Sequence, residues 1–131
     1  MSPEPKIRIL IVDDDPSIVR LLGRFVGDLS FEAVPAIHPR EALRLASQQE
    51  IHIALVDLHM PEMEGLELME LLQRLHDDME VILMTGDYSI ESAVEAIKSG
   101  AYDYLPKPIN FRHLTQALNA IRDQVLRRIE R

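Results

Sequence analysis

The run Ile53-Ala54-Leu55-Val56-Asp57 is apolar up to its last residue, and Pro61 follows four positions later. A strand that is hydrophobic throughout must be covered on both faces, as a parallel strand inside an α/β sheet is. Pro61 has no N–H to give to a ladder, so the chain leaves the sheet just past Asp57. One carboxylate is thereby placed at the C-terminal mouth of a buried strand, the edge where open α/β sheets bind ligands. An aspartate that merely ends a strand and starts a turn would look the same. Asp57 by itself decides nothing.

The rest of the chain repeats the pattern. Ile7 to Val12 is a second apolar run, broken only by Arg8, and it ends in Asp13-Asp14-Asp15-Pro16. Asp15 followed by Pro16 is a helix start, an N-cap acceptor and then a residue whose φ already suits the first turn. Ile18, Leu21, Leu22, Phe25, Val26 and Leu29 recur at helical spacing behind it. Phe31 to Ala36 reads as a short strand that Pro35 assigns to an edge. His38-Pro39 opens a second helix with Ala42, Leu43, Leu45 and Ala46 on its apolar side. Met63-Glu64-Gly65 turns into a third, carrying Leu66, Met69, Leu71, Leu72 and Leu75.

Glu80 to Met84 is a fourth strand, ending in Thr85-Gly86-Asp87. Ser89 caps a helix carrying Ile90, Ala93, Val94 and Ile97, and Gly100 stands at its C-cap. Tyr102 to Leu105 is a fifth strand and runs into Pro106-Lys107-Pro108, where the X-Pro bond is a candidate for the cis form. Asn110 caps a last helix with Leu114, Ala117, Leu118, Ile121 and Val125 inward. Five strands alternating with five helices make an α/β fold: a five-stranded parallel sheet with helices on both faces. Right-handed crossovers and an edge position for the second strand select the order 2-1-3-4-5.

At 131 residues the chain is one domain, and with no cysteine it has neither disulfides nor a thiolate metal site. Residues 1–6 are polar and expected to be a disordered tail. The apolar run Ile9 to Val12 is too short for a signal peptide or a membrane span, so a soluble, cytoplasmic protein is expected. The formal net charge is −8, from 22 acidic and 14 basic residues. Such a balance argues against direct nucleic-acid binding, which rests on a basic surface.

In a parallel sheet every strand's C-terminal end lies on one edge. Those ends supply Asp13 and Asp14 after the first strand, Asp57 after the third, Thr85 after the fourth and Lys107 after the fifth. Clustered carboxylates repel, by as much as roughly 4 kcal/mol per pair at ~4 Å and an effective dielectric near 20. They call for a cation, and all-oxygen donors point to Mg²⁺. With a metal, the Thr85 hydroxyl and the mobile Lys107 ammonium would balance the oxygens of a phosphoryl group, beside which Gly86 leaves room. Asp57 would then be a nucleophile that forms an acyl phosphate.

At these residues the chain resembles the receiver domains of two-component response regulators, over residues 7 to about 124. The likeness is carried by Val12-Asp13-Asp14-Asp15-Pro16, Val56-Asp57-Leu58-His59-Met60-Pro61 with Gly65, Thr85-Gly86, and Tyr102-Asp103-Tyr104-Leu105-Pro106-Lys107-Pro108. It implies the flavodoxin-like, CheY-like fold and phosphoryl transfer from a histidine kinase or phosphotransfer protein to Asp57. It implies Mg²⁺ held by Asp14, Asp57 and the backbone carbonyl of His59, with Asp13 nearby. Thr85 and Lys107 would contact the phosphoryl group. Thr85 and Tyr104 would form the switch, the ring turning inward as the hydroxyl moves toward the phosphoryl group.

The segments from Gly86 to Ala96 and from Gly100 to Leu105 look most like receivers of bacterial enhancer-binding transcription activators. A receiver cut from a longer protein, or a stand-alone one, is therefore expected, with no turnover of an outside substrate. Leu114, Leu118, Ile121, Val125 and Ile129 form a stripe running into residues 125–131, which read either as a helix extension that starts a linker or as a frayed basic tail. A homodimer would use that helix or the face of the fourth helix, fifth strand and fifth helix. The imidazole of His59 reads as loop filler, and His38, His52, His76 and His113 as surface or loop residues. A haloacid-dehalogenase-type phosphatase would place its nucleophile after the first strand and its acidic pair last, the reverse of this order. A flavodoxin-type carrier would need a hydroxyl-rich phosphate loop where Asp13-Asp14-Asp15 stands.

Overall fold

The computed structural model describes residues 6–129. All but Lys6 of the expected disordered tail lies outside the described residues, as do residues 130 and 131. Strands β1 (Arg8–Val12), β2 (Glu32–Ala36), β3 (Ile53–Asp57), β4 (Glu80–Thr85) and β5 (Asp103–Pro106) alternate with five helices. These are α1 (Pro16–Asp28), α2 (Pro39–Gln48), α3 (Gly65–Leu75), α4 (Ile90–Lys98) and α5 (Phe111–Ile129). The sheet is parallel throughout, in the order β2-β1-β3-β4-β5. Pro35 lies on the edge strand, as its missing donor requires.

Alternation along each strand divides the core in two. Leu10, Val12, Ala54, Val56, Val81 and Leu83 point to the side covered by α2, α3 and α4. Ile9, Ile11, Ile53, Leu55, Ile82 and Met84 point to the side covered by α1 and α5. All five residues of β3 are buried, which accounts for its unbroken apolar sequence. Burial of each large aliphatic side chain contributes about 1.5–3 kcal/mol, so the sheet is held chiefly from its two faces.

The expected caps are in place. The Asp15 carboxylate accepts from Ser17 N–H at 2.9 Å, the Ser89 hydroxyl from Ser92 N–H at 3.1 Å, and the Asn110 side chain from His113 N–H at 3.0 Å. Gly100 has φ +113°, a conformation open to glycine. Ser30, at φ 73°, adopts the left-handed region between α1 and β2, which its sequence does not signal.

One helix uses its apolar residues differently from its periodicity. On α4, Ile90, Val94 and Ile97 are 74, 47 and 50% exposed, and Ala96 alone is buried. That helix rests on the sheet by its small residues and turns its large ones outward. On α5, Leu114, Leu118, Ile121 and Val125 are buried in the core of the domain itself, while Ile129 is 43% exposed. A dimer through α5 would have to use residues other than those four. The helix continues without a break through Ile129.

Candidate functional site: an acidic cluster at the C-terminal sheet edge

Asp13 stands one residue past β1, Asp57 is the last residue of β3, Thr85 the last of β4, and Lys107 follows β5. Because neighbouring parallel strands end together, residues up to 94 positions apart meet here. The oxygens of Asp13, Asp14 and Asp57 come within 4.8 Å of one another. Asp13 and Asp57 are buried, and Asp14 faces solvent.

Lys107 is pinned rather than mobile. Its Nζ donates to Asp13 Oδ2 at 2.7 Å and lies 3.3 Å from Asp57 Oδ1. Its backbone is tied too, with Lys107 N–H donating to the Thr85 carbonyl at 2.7 Å, and the Lys107-Pro108 bond is cis. Asp13 takes a second bond from Asp15 N–H at 2.9 Å, so the start of α1 helps to orient it.

The electrostatics are unbalanced in favour of a cation. Three carboxylates face one ammonium, which leaves two negative charges uncompensated when all are ionised. Burial and the charge of Asp13 push the Asp57 carboxyl up to about 6, with Asp14 adding to them and Lys107 opposing. Burial pulls the Lys107 ammonium down, but its bonds to Asp13 and Asp57 outweigh that and raise it overall. Oxygen donors converging without nitrogen or sulfur suit a hard divalent ion such as Mg²⁺. The donor set fits.

Thr85 is fully buried, and its Oγ1 accepts from Asp87 N–H at 3.0 Å. Tyr104 is 5% exposed, on the side of the sheet covered by α4, with its ring 5.2 Å from that of Tyr88. Its hydroxyl is buried without a partner among the described residues. His59 lies in the β3–α3 loop with Nδ1 2.9 Å from Glu64 Oε2, so its imidazole is engaged across the loop rather than idle.

Two features beside the site are absent from the sequence reading. A Cβ on Gly65 would sit 2.3 Å from the Asp57 carbonyl oxygen and 2.8 Å from Leu58 Cα, so α3 approaches the strand end as only glycine permits. The Met-Glu-Gly turn pointed to this residue without revealing the contact. Tyr88 covering Tyr104 had no signal at all. Gly86, by contrast, has open space around it, so no crowding there demands a glycine. His38 and His113 are exposed, as expected, with His38 Nδ1 3.9 Å from Glu62 Oε1 and His113 Nε2 2.7 Å from Asp103 Oδ2.

Comparison with known proteins agrees with this geometry. The family model of the response regulator receiver domain matches residues 9–119. The transcriptional regulatory protein GlrR of Escherichia coli (strain K12) is 34% identical over 124 residues, covering 95% of this chain and 28% of that protein. The chain spans little more than a quarter of the length of that relative. A CheY-like receiver domain from Methanospirillum hungatei JF-1 superposes with a TM-score of 0.85 at 32% identity, over 94% of this chain and 99% of that one. A response regulator from Burkholderia pseudomallei, solved with a phosphorylated aspartic acid, calcium ion and citrate, gives 0.79 at 33% identity, over 95% of this chain and 75% of that one.

Proposed function

This chain belongs to the response regulator receiver domain family, and from that membership we propose that it is a switch thrown by phosphorylation of Asp57. The donor is a histidine kinase or a phosphotransfer protein, and the response passes to a transcription-regulating output. The observation that carries this reading is the meeting of Asp57 with Asp13, Asp14 and Lys107 at one sheet edge. The phosphorylated aspartate and calcium ion of the Burkholderia relative support the same chemistry here.

Asp14, Asp57 and the His59 carbonyl would hold Mg²⁺, with Asp13 alongside. When bound, the ion supplies the positive charge that lets phosphoryl oxygens approach three carboxylates. An Asp57 oxygen attacks the phosphorus of a phosphohistidine; the O–P bond forms as the P–N bond breaks. The electron pair stays on the imidazole nitrogen, which takes a proton from solvent. Lys107, already 3.3 Å from Asp57, stabilises the charge on the transferring group. Water later attacks the phosphorus, the Asp57 O–P bond breaks with its electron pair returning to the carboxylate, and inorganic phosphate leaves; the domain thus catalyses its own phosphorylation and dephosphorylation and turns over no outside substrate.

The switch consists of Thr85 and Tyr104. Thr85 Oγ1 exchanges its bond from Asp87 N–H for one to the phosphoryl group, and Tyr104 reports the exchange to the surface of α4, β5 and α5. That surface is where a homodimer would form. Residues 7–124 make up the switching unit, and the last helix runs past it through Ile129.

Incubation with Mg²⁺ and a small acyl phosphate, followed by intact-mass measurement, tests the reading. One phosphate should be added to the native chain and none to Asp57→Asn. No adduct on the native chain, or an equal adduct on the variant, overturns it.

A further inference from the structure

The edge of the sheet opposite the carboxylates carries a second group of charged side chains, centred on His52. This residue lies in the loop before β3, as expected, but is only 9% exposed rather than at the surface. Its Nδ1 accepts the Arg8 backbone N–H at 3.0 Å. Its own N–H donates to the Arg8 carbonyl at 3.1 Å, and its carbonyl accepts from Glu80 N–H at 3.1 Å. One residue therefore joins the beginnings of β1, β3 and β4.

An imidazole nitrogen that accepts a hydrogen bond carries no proton, so the neutral ring holds its hydrogen on Nε2. Nε2 lies 3.4 Å from Glu50 Oε1. From β1, Arg8 reaches the Glu50 carbonyl at 3.3 Å and Glu32 on β2 at 2.9 Å. From α5 comes Arg128, 3.7 Å from Asp78. The connection after α3 adds His76, whose Nε2 is 2.7 Å from the Ala46 carbonyl, and β4 begins with Glu80. His52, His76, Arg128, Val125 and Ile129 border one cavity of about 210 Å³, so the last turn of α5 roofs this cluster.

A proton on Nδ1 would set two donors face to face and abolish the Arg8 bond. It would also place a cation, largely out of water, near Arg8 and Arg128. We propose that His52 is a proton-operated latch. Neutral, it fastens the start of β1 to β3 beneath the end of α5. Protonated, it lets go of the Arg8 amide and loosens the last turn of α5. Burial, reinforced by the charges of Arg8 and Arg128 against the pull of Glu50, holds the ring below its ordinary value and so keeps the latch closed at neutral pH. The coupling is reciprocal: contacts that hold α5 down also weaken proton binding at His52. None of this depends on phosphoryl transfer.

Nitrogen-resolved NMR of the full chain, titrated from pH 7.5 downward without phosphodonor, tests the latch. His52 should be the Nε2–H tautomer at pH 7.5 and titrate below 6.5. Exchange of the Arg8 amide and of the Val125–Ile129 amides, corrected for intrinsic pH dependence, should rise roughly tenfold in step with it, the scale of one lost hydrogen bond. In His52→Gln the step should vanish, because an amide oxygen accepts without titrating; if that variant does not fold, the native titration alone decides. An Nδ1–H tautomer, titration at or above 6.5, or amide exchange that ignores His52 overturns the proposal.

Discussion

Asp57 is held in a setting that disfavours its charge, and this has a measurable sign. Its folded value, raised from 3.8 to about 6, means that the folded chain takes up a proton before the unfolded chain does. The penalty is therefore absent below about pH 4 and complete above about pH 6. Asp57→Asn should stabilise the metal-free protein at pH 7.5 by about 1–3 kcal/mol, and the gain should fade as pH drops through that window, as read from urea midpoints. Tyr104 carries a smaller cost of another kind. Its hydroxyl is buried without a partner among the described residues, so Tyr104→Phe should stabilise by about 1 kcal/mol in the same assay. If instead it destabilises, the hydroxyl has a partner in solution. At this scale the sequence showed the acids, the threonine and the lysine, because strand ends are marked by where apolar runs stop. It did not show His52, whose role depends on Arg8, 44 residues away.

Among the elements, α3 is the one whose placement bears most directly on the site. Its first residue, Gly65, donates to the Leu58 carbonyl at 2.6 Å and leaves no room for a methyl group. Gly65→Ala should cost about 1–3 kcal/mol and, by displacing the end of β3, weaken Mg²⁺ binding as well, measured by calorimetry. Unchanged Mg²⁺ affinity would mean that the loop yields without moving Asp57. Helix boundaries and caps were legible because Asp15, Ser89 and Asn110 act locally. The exposure of Ile90, Val94 and Ile97 was not. Periodicity reports that a helix has an apolar stripe, whereas which residues meet the sheet depends on how the helix is rolled. On α5 the stripe suits a helix partner and a sheet face equally well by spacing alone, and four of its members meet the sheet.

For the molecule as a whole, the order β2-β1-β3-β4-β5 could be read because continuous apolar runs, short connections and Pro35 leave few alternatives. Among the described residues no helix is long and apolar enough to cross a membrane. Under the proposed function Mg²⁺ would act at this scale as well: binding only to the assembled acidic edge, it should add about 2.7 kcal/mol at a hundredfold excess over its dissociation constant. A thermal shift that survives Asp14→Ala, at constant ionic strength, would place the ion elsewhere. The separation of 94 positions from Asp13 to Lys107 also sets a timetable. At ribosomal speeds roughly 5–20 seconds separate their synthesis, so a nascent chain owns its three acids well before the lysine that partners them. Under the proposed function, competence to answer a signal waits on Lys107, and chains that have not yet reached it stay silent.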